Sequence, residues 1–371
     1  MTLELQVALG PHSYPIVIDD AAPGALAAPL ARRVLPPHAR TLLVVSDTNV
    51  APLYLGDLAS ALAAAGYAVR SHVLPAGEAH KDLAAVSAVV DATLGGGLTR
   101  HDALVALGGG VIGDITGFAA AIAHRGIAFL QVPTTLLAQV DSAVGGKTGV
   151  NHARGKNLIG AFWQPRAVAS SQAVLRTLPA REVRGGMAEA LKHGFIADPA
   201  LVAWARANAS QLAALDPSAT AALVRACCRI KAAVVAEDER EDLADGRRAI
   251  LNFGHTFGHA FESALGYGTL AHGEAVALGM VLAARLSERL GVASTGLEAS
   301  IVEHLAATGL PCDPDAAHLP RLPALIDAAH GDKKADGQGG VRFVLLEAFG
   351  RPLLRRLSWR EISAALGAPW P

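Results

Sequence analysis

Between residues 41 and 133, short aliphatic runs alternate with Ala-rich stretches of helical length. This alternation restricts the chain more than any other feature. Thr41-Leu-Leu-Val-Val-Ser-Asp47 reads as a buried strand ending in an acid, and Leu58 to Gly66 as a helix closed by glycine. Ala68 to Leu74 reads as a strand and Asp82 to Leu94 as a helix. Ala103 to Leu107 is a strand that runs straight into glycines, and Ala128 to Val132 is a strand stopped by Pro133. Strands alternating with helices predict an α/β unit with a parallel, Rossmann-like sheet. After Pro179 the pattern changes. From Arg181 to about Leu310 apolar residues recur at helical spacing, as in Ala221 to Ala236 and Glu274 to Leu290. Val341 to Leu346 reads as a late strand and Trp359 to Leu366 as a last short helix. The expected organisation is an α/β domain over residues 1–179 and a mainly α-helical domain over 180–371. Residues 332 to 340 read as a polar, glycine-containing loop.

Charge excludes several partners. Lys+Arg is 32 and Asp+Glu is 33, so the net charge of −1 supplies no bulk field for nucleic acid or an anionic membrane. No apolar run approaches the roughly 18–20 residues of a membrane span. The longest helical one, Ala275 to Ala284, is bounded by Glu274 and Arg285. The first ten residues have no basic segment leading into an apolar core, so no secretory signal is expected. Cys227, Cys228 and Cys312 form neither a disulfide framework nor a zinc knuckle, and a reducing, cytoplasmic location is expected. Of the 32 basic residues only seven are lysines, at 81, 147, 156, 192, 231, 333 and 334, against 25 arginines. Where arginine is used so freely, each remaining lysine invites a specific reading.

Three segments carry chemistry. Gly108-Gly-Gly-Val-Ile-Gly113-Asp114 fits G-x-G-x-x-G, follows a strand and opens an apolar helix. Glycines there let the backbone approach a pyrophosphate at a helix N-terminus, whereas the bland reading is a tight strand-to-helix turn. The acid-terminated strand at Asp47 precedes the glycines, the reverse of the common dinucleotide fingerprint. The segment Asp141-Ser-Ala-Val-Gly-Gly-Lys147-Thr148 invites a P-loop reading, but Asp141 occupies the position that needs glycine, so an NTP-binding P-loop is rejected. A glycine pair followed by Lys and Thr still suits a smaller phosphate or carboxylate, and the run continues into Gly155-Lys156-Asn157. The third segment is Asn252-Phe-Gly-His255-Thr-Phe-Gly-His259-Ala-Phe-Glu262, with His272 beyond it. Two histidines and a carboxylate suit a catalytic zinc with an open position. Upstream, Glu189 and Lys192 lie one helical turn apart, and spacing alone leaves open which histidines bind. Arg125, Lys231 and Arg248 are single cations that gain interest beside an anionic substrate.

Taken together, Gly108–Gly117, Gln131–Thr135, Val140–Thr148, Gly155–Gly160 and Leu251–His259 resemble 3-dehydroquinate synthase, a sugar-phosphate cyclase. The match runs from about Asp47 to His272 and more loosely onward. The resemblance implies an NAD-binding α/β domain, a helical metal- and substrate-binding domain, NAD+ and a divalent metal (Zn2+ or Co2+), and a homodimer. The implied substrate is 3-deoxy-D-arabino-heptulosonate 7-phosphate, a phosphorylated sugar acid of the shikimate pathway to aromatic amino acids. It is transiently oxidised, loses phosphate, is reduced again, opens, and closes by intramolecular aldol addition to 3-dehydroquinate. Implied metal ligands are Glu189, His255 and His272. Implied NAD contacts are Asp47, Glu78, Lys81, Gly110, Val111, Gly113, Asp114, Thr134, Thr135, Asp141, Lys147, Lys156 and Thr177. Implied substrate contacts are Arg125, Lys147, Asn157, Lys192, Lys231, Arg248, Asn252, His259 and, of the last lysine pair, Lys334. The competing readings are another sugar-phosphate cyclase, a metal-dependent polyol dehydrogenase, which would release NADH, and a non-catalytic nucleotide-binding module.

Overall fold

The computed structural model describes residues 2–241, 246–266, 268–332 and 340–367. In chain order it begins with β1 (Leu3–Val7), β2 (Tyr14–Asp19), α1 (Pro23–Val34), β3 (Thr41–Asp47), α2 (Ala51–Ala64) and β4 (Ala68–Leu74). Next come α3 (Leu83–Gly95), β5 (Ala103–Gly108), α4 (Gly110–Ile122), β6 (Ala128–Pro133), β7 (Lys147–His152), β8 (Gly155–Phe162) and β9 (Ala167–Ser171). Helices α5 (Ala180–Ala197), α6 (Pro199–Ala207), α7 (Ala209–Ala213), α8 (Pro217–Glu237), α9 (His255–Leu265), α10 (His272–Arg289), α11 (Leu297–Ala307) and α12 (Leu322–Asp332) follow. The chain ends with β10 (Val341–Ala348), β11 (Arg351–Leu357) and α13 (Trp359–Leu366). None of the helices is long and apolar enough to cross a membrane among the described residues.

The chain divides into two compact units. One comprises Met1–Leu178 with Leu215–Ala236, the other Pro179–Ala214 with Glu237–Pro371. Helix α8 therefore packs almost entirely with the first unit, although it follows three helices of the second.

The first unit is built on a seven-stranded sheet in the order β1-β2-β9-β6-β5-β3-β4. All neighbours are parallel except the edge pair β1 and β2. Alternation along β3 shows why both faces are covered. Leu42 and Val44 pack with Leu26, Leu30, Leu58 and Leu62 of α1 and α2. Leu43 and Val45 pack with Val86 and Val89 of α3 and Ile112 and Ile115 of α4 on the opposite face. A strand buried on both faces reads as a continuous apolar run, which is what residues 42–45 show. Sheet order reverses at β3, because β4 lies on one side of it and β5 on the other. Ligands of open α/β sheets bind outside the carboxyl ends of the strands at such a reversal.

Strands β7 and β8 form a separate antiparallel hairpin against α4. Glycine permits the close approach: a Cβ on Gly160 would run into the Thr148 carbonyl oxygen, and one on Gly117 into the Thr148 side chain.

In the second unit α10 packs against α5 and α9, and β10 pairs with β11. Small residues set the helix spacing. A Cβ on Gly279 of α10 would run into the Gly254 carbonyl oxygen, and one on Gly273 into Gly185 of α5. The glycines around the histidines therefore bring three helices close enough for side chains from each to meet.

Candidate active site

Asp47 closes β3 and Gly108 closes β5, so the acid and the glycine turn stand side by side at the sheet reversal. Asp47 Oδ1 accepts from the main-chain N–H groups of Asn49 (2.8 Å) and Val50 (3.0 Å), which ties down the turn into α2. Gly109 caps α4 without a side-chain hydrogen bond, and the first helical bond runs from Gly113 N to Gly109 O at 3.0 Å. The N–H groups of Gly110, Val111 and Ile112 thus have no partner within the helix and suit an anion. Gly113 answers a packing need, since a Cβ there would press on the Gln131 amide. Thr134 N donates to Gly108 O at 2.9 Å, and Thr135 Oγ1 accepts from Ala138 N at 3.1 Å, so both threonines line the end of β6 next to the glycine turn.

The basic residues of this unit form two knots. Lys81 is buried, and its Nζ lies 2.6 Å from both Asp114 Oδ2 and Asn157 Oδ1. Asn157 adopts φ of 54°, a left-handed conformation Asn tolerates, and its N–H donates to Asn151 Oδ1 at 3.0 Å. Asn151 Nδ2 in turn donates to Glu78 Oε1 at 2.8 Å. Three segments distant in sequence, the Lys81 turn, α4 and β8, are joined through Lys81. In the second knot, Lys231 of α8 forms an ion pair with Asp141 and also donates to its carbonyl oxygen at 2.8 Å. Lys147 is exposed and Lys156 half-buried on the hairpin. Gly145 and Gly146 before Lys147 have φ of 97° and 66°, a left-handed backbone that favours glycine. The buried Tyr14 hydroxyl accepts from Gly145 N at 3.0 Å and anchors that turn.

Two residues stand apart. Thr177 Oγ1 lies 2.6 Å from the Tyr54 hydroxyl on α2. Arg125 is exposed beyond the C-terminal end of α4, about 18 Å along that helix from the glycine turn. Its φ of 65°, beside His124 at 51°, makes this turn a strained one.

In the second unit Glu189 of α5, His255 at the start of α9 and His272 at the start of α10 converge. Their donor atoms lie within 4.8 Å of one another. Glu189 Oε1 lies 3.6 Å from His255 Nε2 and 3.4 Å from His272 Nε2, while Glu189 Oε2 is 2.5 Å from Lys192 Nζ. Glu189 and Lys192 are each 1% exposed. His255 Nδ1 faces the Phe253 carbonyl oxygen at 3.2 Å, and His272 Nδ1 faces Glu262 Oε2 at 3.5 Å. Each ring thus turns Nδ1 to an oxygen and Nε2 to Glu189, the orientation of metal-binding histidines. Two imidazoles and one carboxylate fit a tetrahedral cation with one position open. A second grouping, His259, Glu262 and His272, also lies within ligand reach, but it draws on the same His272 ring.

Burial pushes the His255 imidazole down to about 3, so it is neutral at pH 7. For His272 burial acts the same way, but hydrogen bonds with Glu189 and Glu262 outweigh it and raise the ring to about 9. His259 stands beside this centre, with ring centroids 5.6 Å from His255 and 6.0 Å from His272. Arg248 is buried and donates to the Glu239 carbonyl oxygen, and Asn252 is exposed with Nδ2 3.5 Å from Glu241 Oε1. Lys334 lies outside the described residues.

Sequence reasoning passed over Tyr14, and it named Glu262 in the histidine segment without giving it a role. Tyr14 left no signal, being 131 residues from the glycine it holds. Glu262 did, seven residues after His255 on the same helical face.

Comparison with known proteins shows the family and the fold of the chain. Residues 71–185 match the family profile "3-dehydroquinate synthase N-terminal" and residues 186–335 match "3-dehydroquinate synthase C-terminal". A curated 3-dehydroquinate synthase of Rhodospirillum rubrum is 50% identical, covering 97% of this chain and 92% of that protein. A 2-deoxy-scyllo-inosose synthase solved with carbaglucose-6-phosphate, NAD+ and Co2+ superposes with a TM-score of 0.85 at 25% identity, covering 98% of this chain and 99% of the other. A 2-epi-5-epi-valiolone synthase from Streptomyces hygroscopicus subsp. jinggangensis 5008, with NAD+ and Zn2+ bound, gives 0.84 at 30% identity, with 97% of each chain covered.

Proposed function

The chain belongs to the 3-dehydroquinate synthase family, and on that premise we propose how its own residues carry the reaction. It is a phosphate-eliminating lyase that converts 3-deoxy-D-arabino-heptulosonate 7-phosphate to 3-dehydroquinate and phosphate. It works with NAD+ and a divalent metal, as its Co2+- and Zn2+-bound structural relatives do. When bound, these supply a hydride acceptor that is restored within each turnover and a Lewis acid that polarises the substrate's oxygens.

Glu189, His255 and His272 would hold the metal through Oε1 and the two Nε2 atoms. The observation that carries the reading is that both rings, on different helices, turn Nε2 toward the same carboxylate oxygen. The Gly110–Ile112 amides would take the pyrophosphate, and Asp47 a ribose hydroxyl beside them. Lys81, Asp114, Glu78, Thr134, Thr135, Asp141, Lys147, Lys156 and Thr177 complete the proposed nucleotide set.

Lys147, Asn157, Lys192 and His259 are assigned to the substrate phosphate, and Lys231 and Arg248 to its carboxylate or hydroxyls. Arg125, Asn252 and Lys334 are retained as proposed substrate contacts on their motif positions. Ammonium groups act as point charges and follow a departing phosphate as its oxygens turn, which a rigid guanidinium fork does less well. No separate base is assigned to the elimination, because the leaving phosphate can accept the proton itself. We also infer a cytoplasmic homodimer.

Purified protein given the heptulosonate phosphate and catalytic NAD+ should release phosphate without net NADH. Steady NADH accumulation would identify a dehydrogenase and overturn the reading.

A further inference from the structure

We propose that Glu262 is a positioning residue for the metal centre: it holds His272 in the tautomer and ring orientation that present Nε2 beside Glu189 and His255. This rests on the metal reading above and assigns a role to a residue outside the ligand set.

The two ring nitrogens of His272 face two different carboxylates. Nε2 lies 3.4 Å from Glu189 Oε1, and Nδ1 lies 3.5 Å from Glu262 Oε2. They point away from each other, so a cation held with Glu189 and His255 takes Nε2 and leaves the proton on Nδ1, where Glu262 accepts it. His255 follows the same plan with a main-chain acceptor, its Nδ1 facing the Phe253 carbonyl oxygen at 3.2 Å. The helix itself supplies an oxygen for His255. For His272 at the first position of α10, the oxygen comes from the neighbouring helix α9.

Glu262 is 4% exposed. A buried carboxylate is costly unless a proton donor or cation faces it, and His272 does so here. His255, His259 and Glu262 follow one another at i, i+4 and i+7 on α9, so one face carries a ligand at one end and the orienting acid two turns away. The alternative grouping of Glu262 with His259 and His272 as ligands would need His272 Nδ1 as a donor, and that would strip the Glu189–His255 pair of its third partner. A carboxylate hydrogen-bonded to the far nitrogen also makes the ring a stronger ligand. Losing such a partner costs about 10–100-fold in metal affinity.

The test uses the full chain and Co2+ in competition with a metallochromic chelator. Glu262→Gln keeps the shape but lacks the charge, and its amide N–H2 can face Nδ1 and reverse the tautomer. It should bind Co2+ about 10–100-fold more weakly and with a changed visible spectrum, while NAD+ binding stays as in the parent. Glu262→Asp, which keeps the charge, should recover part of the affinity and the parent spectrum. Parent affinity and spectrum in Glu262→Gln overturn the proposal. So does an equal loss in both variants accompanied by a lowered metal-free melting temperature, which marks a purely structural role. If the parent chain itself takes up no Co2+, the metal reading fails first and the proposal falls with it.

Discussion

Lys192 Nζ sits 2.5 Å from Glu189 Oε2, one turn along α5, with both side chains 1% exposed. A buried pair of this kind holds its charge by mutual compensation, and removing one partner strands the other. Lys192→Met should destabilise the metal-free protein by about 3–5 kcal/mol. Zn2+ should restore most of that, because a cation on Glu189 replaces the lost ammonium. Melting curves with and without Zn2+ read this directly, and an equal loss in both would contradict it.

The histidines of the centre should separate by metal content. His255→Ala and His272→Ala should lose the metal, since each removes an Nε2 facing Glu189. His259→Ala should keep it while turnover falls. Metal-to-protein ratios after dialysis decide the matter, and an equal loss in all three would reassign the ligands.

Metal uptake should depend on pH in one defined window. In the metal-free chain His272 is raised to about 9 and His255 lowered to about 3, so at pH 7 only His272 carries a proton that a cation must displace. Zn2+ affinity should therefore rise about tenfold per pH unit from pH 7 and level off near 9. The same shift stabilises the metal-free fold. A ring raised above its ordinary 6.5 contributes stability fully present below 6.5 and lost as pH rises through about 9. Zn2+ affinity that stays flat between pH 7 and 9 would refute the assignment.

Two glycines inside helices should respond oppositely to alanine. Gly56 of α2 has nothing near its absent Cβ, and Gly56→Ala should stabilise by roughly 0.5–1 kcal/mol through helix propensity. Gly279→Ala gains the same propensity but drives a methyl into the Gly254 carbonyl and the Gly258 N–H. Backbone on α9 has little room to retreat, so a net loss of about 1–3 kcal/mol and reduced metal occupancy are expected. Chemical denaturation with metal analysis tests both, and a stabilised Gly279→Ala would show that the helices can move apart freely.

Lys81 should resist replacement by arginine. Its ammonium reaches Asp114 and Asn157 at 2.6 Å each from a buried position, and the larger planar guanidinium would have to displace these partners or their neighbours. Lys81→Arg should cost about 1–3 kcal/mol of stability and weaken NAD+ binding, measured by melting and by titration. Unchanged values for both would remove Lys81 from the nucleotide set.

The parts of this fold that could be read from sequence are those in which burial writes a periodic pattern. Strands β3 and β5 are covered on both faces and carry unbroken apolar runs, and β6 is apolar except for Gln131. The helix expected from Asp82 is α3, and Asp82 proves to be its N-cap, its side chain accepting from Ala85 N. Helix α2 begins at Ala51, well before the expected Leu58, because Gly56 and Asp57 interrupt the pattern on an exposed face. Strands β7 and β8 left little trace, since their glycines permit backbone approach and supply no apolar face. The site was legible as residue types, through His255, His259 and the glycine turns. Its wiring was not. The Lys81–Asp114 and Lys231–Asp141 pairs join residues 33 and 90 positions apart, and no local period records such pairings.

Because residues 215–236 belong with the first unit while residues 179–214 do not, the unit proposed to bind the nucleotide is not a contiguous cassette. The chain leaves it, returns for one helix, and leaves again. A gene fragment ending at 178 would encode the sheet but omit Lys231, the partner of Asp141, and Cys228, whose thiol donates to the Gln139 carbonyl. Exchange of this unit between related synthases therefore requires two spans to be moved together, and a chimera joined at one crossover would pair a recipient α8 with a donor loop it did not evolve beside.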